Sequence, residues 1–152
     1  MKQADKTAFL EEFEQATGDT VQTMVMARLY SSAVTVRRAG LEFPPGQTFL
    51  WGLLIFGTQD VHFFVHPSQH ALLALFNAGS PSKTQQIRIE RRMLTRIMPP
   101  EQAKNRFAAL FSSKPKTLSI TYEAADGKPI TLDFEVLANN QDIAGAIERY
   151  GV

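Results

Sequence analysis

The sequence predicts a mainly β domain of the α+β class, and three observations lead to that class. Two aromatic-rich runs over 49–65 flank a short polar turn that holds a glycine, which is typical of a buried β-hairpin. Two alternating runs over 117–137 flank an Asp126-Gly127 step, which is a strong short-range signal for a second hairpin. Apolar residues at helical spacing over 139–152 then predict a closing C-terminal helix.

Length and composition place the chain in a single domain over residues 1–152. Its 152 residues match the usual size of one domain, and 44% hydrophobic with 20% charged residues excludes a disordered or coiled-coil chain. The formal net charge of +1 supplies no field that would attract nucleic acid. We therefore expect one core and no nucleic-acid partner.

Cysteine content and the N-terminus indicate the compartment. The chain has no cysteine, which excludes disulfides and thiolate metal ligands and fits a reducing environment. The N-terminal stretch turns acidic at Glu11-Glu12 before any apolar block, so it lacks the apolar region of a signal peptide. The longest apolar run, near 49–57, is about half of the ~20 residues that a membrane-spanning helix needs. We therefore expect a cytoplasmic protein without a transmembrane segment.

Hydrophobic periodicity predicts the elements of the N-terminal part. Phe9 and Phe13 recur at helical spacing among acidic residues, which predicts an amphipathic helix over 1–18. Alternation of apolar and polar residues predicts strands over 20–30 and 33–38. A proline-rich loop then leads into the central hairpin.

The second part of the chain is predicted to add strands around one inserted helix. The run over 71–78 fits a helical turn and a strand equally well. Alternation over 85–98 predicts a strand, with a bulge where Arg91 disturbs the register. A proline pair then opens a helix over 99–112. The strands accordingly occupy 20–138, interrupted by this helix.

The order of several strands followed by one closing helix is that of the pleckstrin-homology (PH) superfold. The segment 52–64, in which a glycine, an apolar strand, a polar turn and an aromatic strand follow one another, resembles the signature hairpin of GRAM and bacterial PH-like domains. The resemblance implies a PH-like curved antiparallel barrel of about seven strands whose open end is plugged by the C-terminal helix. This chain adds an N-terminal helix and an inserted helix to that plan.

The resemblance also implies a class of function. PH-like domains are binding modules without catalytic residues, and the same fold hosts lipid, peptide and protein binders. It therefore transfers no active site and leaves the ligand open. We expect no cofactor.

Three histidines are candidate metal ligands. His62, His66 and His70 are spaced four residues apart, which on a helix would align them on one face. Pro67 excludes a helix between the first two, and their separation along a strand, at roughly 3.3 Å per residue, is too long for easy joint coordination. Solvent-facing or capping histidines are the alternative interpretation.

The densest basic group lies in and around the predicted strand over 85–98. Arginine guanidinium groups match phosphate oxygens, so phosphate or an anionic-lipid headgroup is a conceivable ligand. A solvated strand face, with the arginines paired to neighbours such as Glu90, is the alternative. Arg88 and Arg92 are the better candidates because they share alternation parity. The full candidate set is Arg37, Arg38, Arg88, Arg91, Arg92 and Arg96.

An apolar surplus points to association. Met24 and Met26 lie opposite Val25 and Leu29 on one strand, which makes that strand apolar on both sides and predicts burial under the first helix or another subunit. Eleven phenylalanines and five methionines are many for one small β domain. An exposed patch for a partner or a second copy is therefore expected, with a well-filled core as the alternative.

Catalytic patterns are weak by comparison. Serine pairs at 31–32 and 112–113 could join the histidines in a triad, but neither pair lies in a Gly-x-Ser-x-Gly elbow, and no glycine-rich phosphate loop is present. The predicted function is therefore non-catalytic binding or scaffolding through a protein partner or self-association. Phosphate or anionic-lipid binding is second, and a small hydrolase is a distant third.

Overall fold

The computed structural model describes residues 3–66, 85–99, 116–137 and 140–150. The strands are β1 (Val21–Leu29), β2 (Leu50–Gly57), β3 (Val61–His66), β4 (Gln86–Ile89), β5 (Leu94–Met98), β6 (Lys116–Glu123) and β7 (Pro129–Leu137). The helices are α1 (Gln3–Thr17), α2 (Ala33–Arg38) and α3 (Asn140–Tyr150). The seven strands form one antiparallel sheet in the order β4-β3-β2-β1-β7-β6-β5. The prediction of a mainly β chain of about seven strands is confirmed for the described residues.

The sheet curls around a single core. Phe63 on β3 and Phe134 on β7 have ring centroids 5.0 Å apart. Three strand spacings separate β3 from β7 along the sheet, which is about 14 Å in a flat sheet. Ile89 and Ile97, on the two outermost strands, belong to the same buried cluster. The inward face is therefore strongly concave.

Helix α3 closes this core, as the C-terminal periodicity predicts. Its buried residues are Ile143, Ala146 and Tyr150, spaced three and four apart so that they share one side of the helix. The Tyr150 hydroxyl lies 2.5 Å from the Gly57 carbonyl oxygen and 2.7 Å from that of Asp60. The end of α3 is thereby fixed to the turn between β2 and β3.

The opposite face of the sheet, here called the outer face, is covered in part by α1. Phe13 is buried there against Leu53 and Ile55, and Phe9 packs beside it. A register shift between Val21 and Thr23 interrupts the alternation of β1 at its start, and Val21 joins this outer cluster. Helix α1 and the centre of the sheet thus form a second, smaller apolar layer.

The predicted strand over 33–38 is wrong, because this segment is helix α2. The Ser32 hydroxyl accepts the Thr35 backbone N–H at 3.2 Å and caps the helix. Gly40, with φ of 87°, ends it while the Leu41 N–H bonds the Val36 carbonyl. The alternation of valines over six residues was too short to distinguish the two periods, and the Ser32 and Gly40 capping signals decide the outcome.

The predicted strand over 85–98 is two strands rather than one bulged strand. A 3-10 turn, Arg91–Met93, separates β4 from β5 and places them at opposite edges of the sheet. The register shift lies further on, between Leu94 and Arg96. The segments 71–78 and 100–112, and His70, lie outside the described residues.

Candidate functional site

A buried carboxylate organises the end of the sheet where α1 meets β1. Asp19 is fully buried and accepts hydrogen bonds from five donors at 2.9 to 3.0 Å. Because a carboxylate only accepts, the His62 Nε2 atom carries the proton in this contact. The five donors are the backbone N–H groups of Thr20, Gln59 and Asp60, the Thr58 hydroxyl and the His62 ring.

These bonds determine the ionisation of Asp19. Burial alone would raise its pKa, but the hydrogen bonds from the Asp60 backbone, His62, the Gln59 backbone and Thr58 lower the pKa to about 2. The carboxylate is therefore charged at neutral pH and holds the β2–β3 turn against the start of β1. His62 is buried as well, with its ring edge-on to Phe13 at 4.9 Å.

A second buried carboxylate, Asp60, receives two of the predicted arginines. Its Oδ2 atom accepts the Arg88 guanidinium at 2.5 to 2.6 Å, and its Oδ1 atom accepts the Arg91 backbone N–H at 2.9 Å. The Arg91 guanidinium donates to the Arg149 carbonyl and lies 5.0 Å from the centre of the Tyr150 ring. Burial, followed by the charges of Asp19 and Asp60, raises the pKa of Tyr150. The arginines here tie β4 and α3 to the turn.

The other predicted arginines are distributed over the surface. Arg92 pairs with Glu90, a contact that raises its pKa. Arg38 donates to the Pro129 carbonyl and lies 3.7 Å from Asp126. Arg37 and Arg96 are exposed on α2 and β5. The expectation that Arg88 and Arg92 share a strand face is wrong, because the 3-10 turn intervenes.

The histidine candidates do not assemble a metal centre in the part of the chain that the structure describes. No group of three histidine or carboxylate side chains there has a metal-binding arrangement. His62 is buried and bound to Asp19, which corrects the expectation of a solvent-facing residue. His66 ends β3 opposite Trp51.

Met24 and Met26 lie on the outer face of β1, half-buried in the cluster that contains Phe13 of α1. The same cluster contains Ile55 and Leu53, which lie opposite Met24 and Met26 on β2. The methionines therefore belong to the apolar layer that α1 forms with the centre of the sheet, and their burial under another subunit stays a prediction.

Beyond α1, the outer face carries a group of aromatic and charged side chains that sequence analysis did not identify. Arg28 of β1 lies opposite Trp51 of β2 on one side and opposite Glu135 of β7 on the other. Glu135 in turn lies opposite Thr117 of β6. Four neighbouring strands thus present one row of side chains. Together with Phe49 and Tyr30, this row is called the Trp51 patch; its members are Arg28, Tyr30, Phe49, Trp51, Thr117 and Glu135.

Arg28 is the centre of the Trp51 patch. Its guanidinium lies 5.2 Å from the Phe49 ring centre and 6.0 Å from that of Trp51, and it forms an ion pair with Glu135. The two charged side chains remain 32% and 22% exposed. The Arg28 Nε atom is buried without a hydrogen-bond partner among the described residues. The side chains of the patch therefore contact one another within the chain and remain partly accessible to solvent.

Tyr30 extends the Trp51 patch past the end of β1. Its side chain is exposed, and its hydroxyl lies 3.4 Å from the Thr117 hydroxyl. The Phe49 and Trp51 rings meet edge-on at the other end of the patch. The sequence did contain one signal for this patch. Leu50 and Leu54 face the core, and since side chains alternate along a strand, Trp51 must face the other side of the sheet. The strand register that brings Arg28 and Glu135 beside it could not be derived from one sequence.

Comparison with known proteins gives a fold and no function. No family model and no curated protein matches the chain. Among solved structures, the chain is similar to the C-terminal domain of an unknown protein from Leishmania infantum, with a TM-score of 0.50 and 11% sequence identity over 97% of this chain and 98% of that one. At this identity the similarity shows a shared fold alone. None of the described helices is long and apolar enough to cross a bilayer.

Proposed function

We propose that this protein is a non-catalytic binding module that recognises protein surfaces through the Trp51 patch. The observation that carries the proposal is the grouping of Trp51, Tyr30, Phe49 and Arg28, all at least partly exposed, on one face of the sheet. Tryptophan, tyrosine and arginine are the residues that most often dominate binding energy at protein interfaces. Arg28 contacts both the Phe49 and Trp51 rings and pairs with Glu135, and the two rings contact each other, so little ordering of these side chains is needed on binding.

The proposed fold type agrees with this function. We infer a PH-like architecture from the sheet order, in which β1 joins the first four strands to the last three, and from the insertion of α3 into the core. Such folds carry binding surfaces rather than one shared chemistry.

Within the described ranges, the buried polar groups that could take part in catalysis already stabilise the fold. Asp19 and His62 are buried and bound to each other, and Asp60 is occupied by Arg88 and Arg91. A general base needs access to a substrate proton, which a buried and bonded pair does not offer. This distribution supports a binding function over hydrolysis.

Phosphate or anionic-lipid binding is less well supported. The guanidinium groups of Arg88, Arg92 and Arg38 have carboxylate partners within the chain. A headgroup would have to compete with these contacts, whereas a preformed anion site presents unpaired donors. The arginine set therefore ranks second as a binding surface.

A peptide library displayed on phage tests the proposal. Wild-type protein should select peptides that do not bind the Trp51→Ala and Thr117→Arg variants. The second substitution adds a large side chain at an exposed position of the patch and removes no apolar side chain. Val34→Ala, at an exposed position of α2, is the matched control and should bind as the wild type does. Peptides that bind all variants equally would contradict the proposal, provided that far-UV circular dichroism shows folded proteins.

A further inference from the structure

We infer that the partner of the Trp51 patch is a second copy of this chain, which forms a two-fold symmetric dimer through the outer face. The inference rests on the proposed function, since it names the partner of the same surface. It depends on two features of the patch, the order of its charges and the order of its side-chain sizes, and on the low net charge of the whole chain.

The charges of the patch are self-complementary. Arg28 and Glu135 lie side by side on β1 and β7, each partly exposed. A two-fold axis that runs between these strands and parallel to them places Arg28 of one copy over Glu135 of the other, and the reverse contact follows by symmetry. Arg28 and Glu135 of each copy thus gain a second partner of opposite charge from the other copy, and like charges stay apart.

The same axis pairs large side chains with small ones. The row across the sheet runs from Trp51 through Arg28 and Glu135 to Thr117. The outer face is the convex side of the curled sheet, so the gap between the two copies widens from the axis toward the ends of the row. After the two-fold rotation, Trp51 of one copy lies on the same side of the axis as Thr117 and the adjacent Tyr30 hydroxyl of the other. A large ring opposite a small residue fills space, and the nearby hydroxyl groups offer the indole N–H an acceptor.

Charge repulsion between two copies of the chain is small. Its formal net charge is +1, so two copies repel each other weakly. A strongly acidic or strongly basic partner would not be attracted to the patch, because the charges of Arg28 and Glu135 cancel there. Six patch residues are fewer than the roughly 20–30 residues that each side of a stable interface contributes, so we expect a dimer of moderate affinity, in the micromolar range.

Charge complementation between two variants tests the inference. Arg28→Glu leaves two acidic residues in the patch, and Glu135→Arg leaves two basic ones. Each variant alone should repel its own copies, while an equimolar mixture should pair acidic patches with basic ones. Light scattering at low ionic strength should therefore show mass above 17.0 kDa for the wild type and the mixture, and close to 17.0 kDa for each variant alone.

Several outcomes would overturn the inference. A wild-type mass of 17.0 kDa at concentrations up to about 1 mM would exclude a dimer of the expected affinity. Variants that dimerise as the wild type does, or a mixture of folded variants that stays monomeric, would exclude this geometry. If either charge variant fails to fold, Thr117→Arg decides: loss of the dimer supports the inference and retention contradicts it. If the wild type is monomeric but still selects Trp51-dependent peptides, the second copy is excluded and the proposed function stands.

Discussion

Asp19 shows how one buried residue organises an end of the molecule. Its carboxylate accepts hydrogen bonds from Thr20 just before β1, from the β2–β3 turn and from His62 of β3, and its side chain is fully buried. Burial of an ionised group is tolerated only when its acceptor sites are filled, as they are here. The charge on Asp19 therefore stabilises the fold as long as it is retained.

The free energy of unfolding should accordingly fall at acid pH, because Asp19 becomes protonated and loses its charge. Its folded pKa of about 2 lies below the ordinary value of 3.8, so the stabilisation is complete above about pH 4 and is lost as the pH falls through 2. A difference of nearly two pKa units corresponds to about 2 kcal/mol. Urea titrations of wild type and Asp19→Asn between pH 7 and pH 2 measure this contribution as the difference between the two curves.

The control for this titration is Glu12→Gln, which changes an exposed carboxylate on α1. We expect its stability to follow the wild-type curve throughout. Asp19→Asn should be less stable at pH 7, because its amide directs N–H donors at the donors of the turn, and its acid dependence should be flatter. Parallel curves for the wild type and Asp19→Asn would contradict the ionised, hydrogen-bonded role of Asp19.

Residue roles were the least predictable from sequence. His62 and Arg88 were singled out for chemistry, yet each binds a buried carboxylate that is distant in sequence. Asp19 offered no periodic signal, since it lies in a short connection after a glycine. Partners 28 to 43 residues apart are set by tertiary packing, which one sequence does not reveal.

At the scale of elements, the β2–β3 turn depends on a glycine. A Cβ atom on Gly57 would lie 2.1 Å from the Asp19 Oδ2 atom, well inside contact distance. The carboxylate would have to move away from its donors. The close approach of Asp19 therefore requires glycine here, although Gly57 has no left-handed backbone.

Gly57→Ala and Gly145→Ala form a matched pair that tests this requirement. The first should lower the free energy of unfolding by about 2–4 kcal/mol, through the clash and the lost hydrogen bonds. The second lies in α3 with nothing within 4 Å of its Cβ position and should raise stability by up to about 1 kcal/mol. Both remove the same unfolded-state freedom, so chemical denaturation isolates the local effect. Equal changes in the free energy of unfolding of the two variants would contradict the requirement for glycine at position 57.

Elements with long, regular patterns were predictable, and short ones were not. Both hairpins, α1 and α3 follow from alternation, turn residues and helical spacing, because their buried faces extend over two or more turns or strand pairs. Helix α2 has six residues and one buried side chain, Val36, so its valines fitted a strand equally well. Its two capping residues carried the better signal.

At the scale of the whole molecule, the sheet has two faces with different tasks. The concave face encloses the core with α3, and the outer face carries α1 at one end and the Trp51 patch at the other. The sequence predicts an apolar surface for association, and it places Met24 and Met26 on a strand that is buried either under the first helix or under another subunit. The structure places these half-buried in the cluster that contains Phe13 of α1, and it leaves Trp51 and Tyr30 partly exposed. The strand register distinguishes the methionine region from the Trp51 patch, because it sets Met24 and Met26 beside Ile55 and Leu53 and sets Arg28 beside Trp51.

Acrylamide quenching of tryptophan fluorescence, measured against protein concentration, tests the central claim most directly. Trp51 is the single tryptophan of the chain, so the signal reports the patch alone. The proposed dimer predicts that quenching weakens as concentration rises, with the same midpoint as the increase in mass above 17.0 kDa. Quenching that stays constant while the mass rises would show that the chain associates through another surface. Constant quenching at a constant 17.0 kDa would show that Trp51 does not bind a second copy.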